Sequence, residues 1–141
     1  MVSVAPAGEF SVSLRVYIED TDAGGIVYYV NYLKFMERSR TEYMRHLGFG
    51  KSFIFNQDLL FVVRDVALTY QRPAELDDLL DATTVIRQAK GATVTLWQTV
   101  RRGGEVLVEG EIKIACVDKT SKKPRRLPQV MRDVLETVQS R

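Results

Sequence analysis

The stretch that decides the fold is EDTDAGGIVYYVNY, residues 19–32. It contains two aspartates, two adjacent glycines and the first residues of the longest predicted helix. A reaction at a carbonyl carbon needs a base or nucleophile, room for close approach and donors for the oxyanion. The free N–H groups at the start of a helix are such donors. We therefore predict an active site in residues 19–32.

The segments on either side of this stretch have different hydrophobic periods. Apolar side chains alternate with more polar ones from Val12 to Ile18, which predicts a half-buried strand. From Asn31 to Gly48 the apolar residues recur at helical spacing, which predicts a helix of about four or five turns with a broad apolar face. Residues 1–9 are expected to form a loose N-terminus.

The rest of the chain is rich in predicted strands. After a connection at residues 49–58, strands are expected at residues 59–70, 79–89, 92–102 and 105–117, followed by a C-terminal helix within residues 128–141. Helices segregated from an antiparallel sheet indicate the α+β class, in one domain spanning residues 1–141. We expect the sheet to wrap around one long central helix, because this buries both apolar faces.

Composition excludes several classes of function. The 141 residues include 20 Lys and Arg against 18 Asp and Glu, a net charge of +2 that is too small to indicate a nucleic-acid binder. The single cysteine, Cys116, permits no internal disulfide, so we predict an inert core thiol and a cytoplasmic location. No signal peptide and no apolar run of ~18 residues is present, so we expect no integral membrane association.

Several common site types do not fit the sequence. The only histidine, His46, falls at the far end of the predicted helix from residues 19–32, which disfavours a serine or cysteine hydrolase. Asp20 and Asp22 resemble the start of a calcium loop, but the twelfth position is Asn31, where a glutamate is expected. We therefore expect no metal and no cofactor, and a chemistry based on carboxylates.

Four charged residues have more than one interpretation. Asp20 and Asp22 are each compatible with a turn or capping role, and we favour that role for Asp20. We favour a functional role for Asp22, because it lies just before the two glycines, with only Ala23 between, and before the helix start. On the helix, Arg40 lies inside the apolar sector and Glu37 at its edge, where such residues snorkel or pair with a neighbour.

These motifs resemble a known family. Residues 15–38 look like the signature of the 4-hydroxybenzoyl-CoA thioesterase family of hot-dog-fold proteins, and most closely like the bacterial acyl-CoA thioesterases associated with the Tol–Pal cell-envelope system. The similarity continues through residues 61–64, 72–78, 90–91 and 123–125. The resemblance implies a sheet wrapped around the long helix. It also implies a homodimer or homotetramer in which two sheets join edge to edge, with active sites at the interface.

The resemblance also implies roles for individual residues. Asp22 matches the family's catalytic aspartate, and the backbone N–H of Tyr29 matches the donor that polarises the thioester carbonyl. The envelope-associated branch usually carries histidine where this chain has Tyr29. A backbone role survives that difference, but a side-chain base role does not, because a tyrosine hydroxyl is a poor base at neutral pH. Glu37 is a reserve candidate, since another hot-dog branch places its catalytic glutamate on this helix.

Coenzyme A carries phosphates, which need cations or N–H donors. Lys90, Gly91 and Thr93 match the family's phosphate-contacting position. Lys122 and Lys123 lie in a basic segment, residues 119–126, that is equally compatible with a solvated turn, phosphate binding, an acyl carrier protein or anionic lipid. The remaining residues predicted at the substrate and CoA site are Gly25, Val27 and Arg64.

The sequence thus supports two leading hypotheses. The first is an enzyme that hydrolyses acyl-CoA or acyl-carrier-protein thioesters. The second is a non-catalytic module that binds acyl thioesters or carrier proteins in envelope or lipid-synthesis assemblies. A hydratase is less favoured, because that chemistry in related folds uses an aspartate with a histidine, and no histidine is near Asp22 in the sequence.

Overall fold

The computed structural model describes residues 2–4 and 8–140. Six strands form one antiparallel sheet in the order β1-β2-β4-β5-β6-β3. The α+β class and the antiparallel sheet are therefore confirmed. The strands are β1 (Val2–Val4), β2 (Phe10–Arg15), β3 (Leu59–Tyr70), β4 (Leu79–Lys90), β5 (Thr93–Arg102) and β6 (Glu105–Asp118), and the helices are α1 (Asn31–His46), α2 (Lys51–Asn56) and α3 (Gln129–Val138).

Helix α1 ends close to where the sequence predicts. Gly48 follows its last turn with a φ of 101°, and the N–H of Phe49 donates to the carbonyl of Met44 at 2.8 Å. A positive φ is accessible to glycine without steric cost, which explains the stop at this position. The apolar face of α1 packs against β2, β4 and β5. Its buried apolar residues are Tyr32, Phe35, Met36, Tyr43 and Met44.

Three segments differ from the sequence-based expectation. The residues Val2–Val4, expected to be loose, form β1 and pair with β2; residues 1 and 5–7 lie outside the described parts of the chain. The first long strand ends at Arg15 instead of Ile18, because a 3-10 turn follows at Ile18–Asp20. Residues 49–58 contain the short helix α2, which is too short for its period to be recognised in the sequence.

Strand β3 forms one edge of the sheet. It pairs with β6 on one side, and no strand among the described residues covers its other side. Most of its residues are exposed, including the apolar side chains of Val62, Val63 and Val66, which are 43–49% exposed. A long edge strand with exposed apolar side chains is a surface on which another strand can pair.

Candidate active site

The predicted active-site stretch forms a tight hairpin. Thr21 and Val27 pair as an antiparallel bridge, and the N–H of Asp22 donates to the carbonyl of Ile26 at 2.9 Å. The turn closes with the N–H of Gly25 donating to the carbonyl of Asp22 at 3.1 Å. Gly25 has a φ of 80°, so a side chain at this position would strain the turn. The hairpin therefore presents Asp22 at its tip.

The carboxylate of Asp22 is exposed and partly engaged by its own turn. Its Oδ1 accepts a hydrogen bond from the N–H of Gly24 at 2.8 Å, and a Cβ on Gly24 would come within 3.3 Å of that oxygen. Among the described residues, Oδ2 has no hydrogen-bond partner. The turn and functional interpretations are thus compatible, because the turn fixes one oxygen and leaves the other accessible.

Asp20 has the structural role that the sequence favours. It is buried, and its two carboxylate oxygens accept hydrogen bonds from the backbone N–H of Tyr17 at 2.9 Å and the side chain of Asn31 at 3.1 Å. Its carbonyl also accepts the N–H of Tyr28 at 2.9 Å. Asp20 thereby ties the start of the hairpin to the first residue of α1.

Tyr29 lies between the hairpin and the helix. Within residues 8–140 its backbone N–H has no hydrogen-bond acceptor, as is common for the donors at the start of a helix. Its carbonyl accepts the hydroxyl of Tyr70 at 3.4 Å, and its own side chain is 60% exposed. The backbone N–H of Tyr29 is therefore available to bind an oxygen of a ligand.

A groove of about 360 Å³ borders Tyr29. Tyr32, Tyr70 and Val27 also line it. Burial raises the pKa of Tyr32 and of Tyr70, so both phenols stay protonated at neutral pH. The hydroxyl of Tyr32 accepts the N–H of Ala74 at 2.9 Å, which fixes the back of the groove.

A loop at residues 74–78 supports the hairpin. The N–H of Val27 donates to the carbonyl of Ala74 at 2.9 Å, and the N–H of Leu76 donates to the carbonyl of Gly25 at 3.3 Å. Sequence reasoning assigned no role to this loop, although the family resemblance included it. A supporting loop distant in the sequence leaves no periodic signal, so only the resemblance could have indicated it.

Arg102 anchors that loop through Asp78. Its guanidinium lies 2.7 Å from the carboxylate of Asp78 and 2.9 Å from that of Glu105. Burial alone would raise the pKa of Asp78, but the N–H of Glu75 and the guanidinium of Arg102 outweigh it and lower that pKa. The carboxylate form of Asp78 is therefore the one that holds the loop.

The residues predicted to bind phosphate lie at the other end of the sheet. Lys90 ends β4, Gly91 begins the turn that follows, and Thr93 begins β5. The carbonyl of Gly91 accepts the N–H of Leu127 at 2.9 Å. The basic segment, residues 119–126, thus ends beside this turn. The structure brings these two predicted groups to one end of the sheet.

The basic segment is an ordered turn. The carboxylate of Asp118 accepts the N–H groups of Thr120 and Ser121 at 3.0 and 2.9 Å. These hydrogen bonds, led by that from Ser121, lower the pKa of Asp118. The turn leaves Lys122 and Lys123 exposed on the surface.

Within one chain, Asp22 lies far from these cations. Thr93 pairs with Ala115, and Ala115 pairs with Val62 of β3. Tyr70, which contacts Tyr29 beside the hairpin, lies eight residues farther along β3. At about 3.3 Å per residue this corresponds to roughly 26 Å.

The remaining predicted site residues lie in different parts of the structure. Arg64 is exposed at a bulge in β3 and pairs with Asp65 at 3.5 Å. Val27 is buried in the hairpin, so its side chain belongs to the core. Glu37 is exposed on α1 and borders a second cavity, to which Arg40 also contributes. Cys116 is fully buried, and burial raises its pKa, as expected for an inert core thiol.

Within residues 8–140, no helix has both the length and the apolar content that a bilayer span requires.

Comparisons with known proteins identify the family of this chain. The thioesterase-like superfamily matches residues 16–135. The acyl-CoA thioesterase YbgC of Haemophilus influenzae is 46% identical over 85% of this chain and 89% of its own length. The acyl-CoA thioester hydrolase YbgC of Escherichia coli is 40% identical over 85% of this chain and 90% of its own length.

Solved structures give the same result for the fold. A probable thioesterase from Bartonella henselae superposes with a TM-score of 0.79 at 38% identity, covering 84% of this chain and 98% of that one. A DHNA-CoA thioesterase from Staphylococcus aureus superposes with a TM-score of 0.84 at 20% identity, covering 91% of this chain and 89% of that one, which supports the fold alone. The chain belongs to the thioesterase-like superfamily, whose hot-dog fold it shares.

Proposed function

We propose that this protein hydrolyses acyl-CoA thioesters to a free acid and coenzyme A. The observation that carries the proposal is the exposed carboxylate of Asp22 at the tip of a glycine turn, in a chain whose close relatives are named acyl-CoA thioesterases. The free N–H of Tyr29 and the adjoining groove add the donor and the space that the reaction needs.

In the proposed mechanism the Tyr29 N–H binds the thioester oxygen and stabilises the negative charge that develops on it. The carboxylate of Asp22 either attacks the carbonyl carbon, giving a mixed anhydride that water then cleaves, or removes a proton from an attacking water. Both routes break the carbon–sulfur bond and release the thiol after it gains a proton. Removal of an oxyanion donor costs on the order of 10²- to 10³-fold in rate.

We further propose that two chains form the active unit through β3. Its exposed apolar side chains and its unpaired edge support this assignment. In an antiparallel pair centred near Arg64 and Asp65, the Tyr70 end of one β3 meets the Leu59 end of the other. Asp22 of one chain would then approach the basic segment of its partner, which removes the separation found within one chain.

The narrower features implied by the resemblance are also proposals. They comprise membership of the 4-hydroxybenzoyl-CoA thioesterase family and its Tol–Pal-associated branch, and a sheet wrapped around α1 as one central helix. We also propose that an acyl carrier protein can be the thioester donor. Lys122 and Lys123 are the cations that would contact it. The non-catalytic binding module is the competing hypothesis, and it requires those cations but not Asp22.

The test is release of free thiol from short, long and aromatic acyl-CoA thioesters. Asp22→Asn removes the carboxylate but keeps the turn acceptor, so we expect turnover to fall by about 10²- to 10⁴-fold without loss of fold. Asp77→Asn is the matched control, because Asp77 is an exposed aspartate of the supporting loop with a φ of 70° that asparagine tolerates. Equal turnover by the wild type and Asp22→Asn would refute the catalytic role.

A further inference from the structure

A second cavity lies away from the Asp22 hairpin. It occupies about 480 Å³ between the second half of α1, α2 and the first half of β3. A volume of this size suits a small organic ligand. Most of its walls are apolar, formed by Met44, Phe49, Ile54, Phe55, Phe61, Val63 and Ile114.

Arg40 brings a positive charge to this apolar cavity. Its guanidinium is partly buried, and its one hydrogen bond among the described residues joins Nη1 to Oε1 of Gln98 at 3.4 Å. No carboxylate of residues 8–140 lies within 4.0 Å of it. Burial lowers the pKa of Arg40, and Glu37 one turn away only partly offsets that effect.

A buried polar network holds Arg40 in place. Gln98 is fully buried, and its amide nitrogen donates to the carbonyl of Met36 at 2.9 Å and to the hydroxyl of Thr84 at 2.7 Å. Both donors of the amide are therefore used within the core, which points its oxygen at Arg40. The hydroxyl of Ser39 completes the network with a 2.8 Å contact to Thr84.

An unneutralised guanidinium beside apolar walls is costly unless an anion reaches it. The nearby Arg45 differs, because the carboxylate of Glu42 already pairs with it. The remaining donors of Arg40 form a fork that matches a carboxylate in two-point geometry. The occupant that satisfies both the charge and the walls has a hydrocarbon body and one carboxylate.

We propose that this cavity binds a carboxylate-bearing acyl group, with the carboxylate paired to Arg40 and the hydrocarbon against the apolar walls. The inference rests on the proposed thioester hydrolysis only for the source of the ligand. One source is the fatty acid released by the reaction. The other is the distal carboxylate of a dicarboxylic acyl thioester whose carbonyl is held at the Asp22 hairpin of a partner chain, which the proposed β3 pair would bring to this end of the sheet.

Calorimetric titration with octanoate and 1-octanol tests the site without relying on activity. We expect the wild type to bind octanoate on the order of 10- to 100-fold more tightly than the alcohol, as a charge-assisted pair provides. Arg40→Gln should remove this preference, and Arg40→Lys should retain part of it. Arg38→Gln, an exposed arginine on the same helix that does not line the cavity, should retain it fully.

Kinetics distinguish the two sources. If the acid product is the ligand, Arg40→Gln weakens inhibition by octanoate. The variant then changes the KM for octanoyl-CoA and the KM for octanedioyl-CoA by the same factor. If the distal carboxylate is the ligand, the variant raises the KM for octanedioyl-CoA alone. Octanoate binding that depends on Arg40 in a protein without thioesterase activity would refute the hydrolase proposal and leave the site intact.

Two outcomes would refute the proposal that this cavity binds a carboxylate. The first is wild-type protein that binds octanoate no better than 1-octanol. The second is Arg40→Gln protein that keeps octanoate affinity but dissociates in sedimentation velocity, which would assign Arg40 to a carboxylate of a partner chain. Thermal unfolding of Arg40→Gln and Arg40→Lys checks that either variant is folded.

Discussion

The two ends of β3 carry different chemistry. At the Tyr70 end, the Asp22 hairpin combines a carboxylate, a free N–H and an aromatic groove, and a distant loop holds it in place. At the Leu59 end, the basic segment presents lysines on a turn that its own Asp118 organises. Under the proposed function, the first end would hold the reacting carbonyl and the second would bind the phosphates, so each end would supply half of what a CoA thioester requires.

The two ends also differ in which residues hold them in place. The hairpin depends on hydrogen bonds from residues about 50 positions away, which fix its carboxylate by the tertiary structure. Asp118, which organises the basic turn, accepts from residues two and three positions away, and within residues 8–140 the only distant backbone support of that turn is the N–H of Lys119, which donates to the carbonyl of Asp58 at 2.9 Å. A reacting group has to be held within a fraction of an ångström, whereas a cation attracts a phosphate over several ångströms.

Breaking the pairing of β3 should have the largest effect. Val66→Asp places a carboxylate on the exposed edge, and pairing of β3 would bury that charge opposite the apolar Val63 of the other chain, at a cost of several kcal/mol. We expect the dimer dissociation constant to rise by about 10²-fold or more, measured by sedimentation velocity, and turnover to fall with it. Val130→Asp on α3 is the control, because Val130 is also exposed, at 55%, but lies outside β3.

A monomeric Val66→Asp protein with wild-type turnover would contradict the shared site. It would mean that one chain binds and cleaves the thioester without the basic segment of a partner.

Reversing charge at the basic end should produce a smaller and different loss. Lys122→Glu combined with Lys123→Glu removes two cations from the proposed phosphate site, so KM should rise by about 10-fold while kcat changes little. The effect should shrink at high salt, because exposed charges are screened. Lys34→Glu, an exposed lysine of α1 outside the site, is the control. A fall in kcat at unchanged KM would contradict a binding role.

Mixed dimers test directly which chains supply the two ends. A chain with Asp22→Asn paired with a chain carrying Lys122→Glu and Lys123→Glu forms one site with both changes and one site with neither. We expect about half of the wild-type activity, measured on purified heterodimers carrying two different tags. If each site lay within one chain, the mixture would have no intact site, and KM would stay at the value of the lysine variant.

The sequence predicted the fold well because local periodicity determines these elements. The strands at residues 59–70 and 105–118 alternate or are rich in β-branched residues, and α1 carries a wide apolar face that ends near a glycine. It did not predict α2 or β1, whose lengths of 6 and 3 residues are too short to show a period. It also extended β2 past Arg15, because the side-chain pattern continues where the Asp20 carboxylate turns the backbone.

The candidate site was predictable only in part. The motif around Asp22 and Gly25 indicated a turn before α1 but not the hairpin that residues 21–27 form, and the burial of Asp20 agrees with its predicted structural role. The roles of Arg102 and Gln98 were not predictable, since each acts through residues more than 20 positions away. The separation of Asp22 from Lys122 was also missed, because it follows from strand register and not from local sequence.

Acid titration tests whether the two ends of β3 are stabilised independently. Of the predicted effects, we expect this one to be the smallest. The pKa values of Asp78 and Asp118 are both lowered in the folded state, so their stabilisation is present above about pH 4 and is lost as pH falls through the lower folded-state values. Arg102→Gln removes the ion pairs with Asp78 and Glu105, both at the Tyr70 end, at a cost of ~1 kcal/mol in urea unfolding. The amide of Glu75, which donates to Asp78 at 2.8 Å, should then titrate at higher pH in NMR spectra. The amide of Ser121, which donates to Asp118, should keep its midpoint, because backbone N–H groups hold that carboxylate. Equal shifts at both amides would mean that the two ends are not held independently.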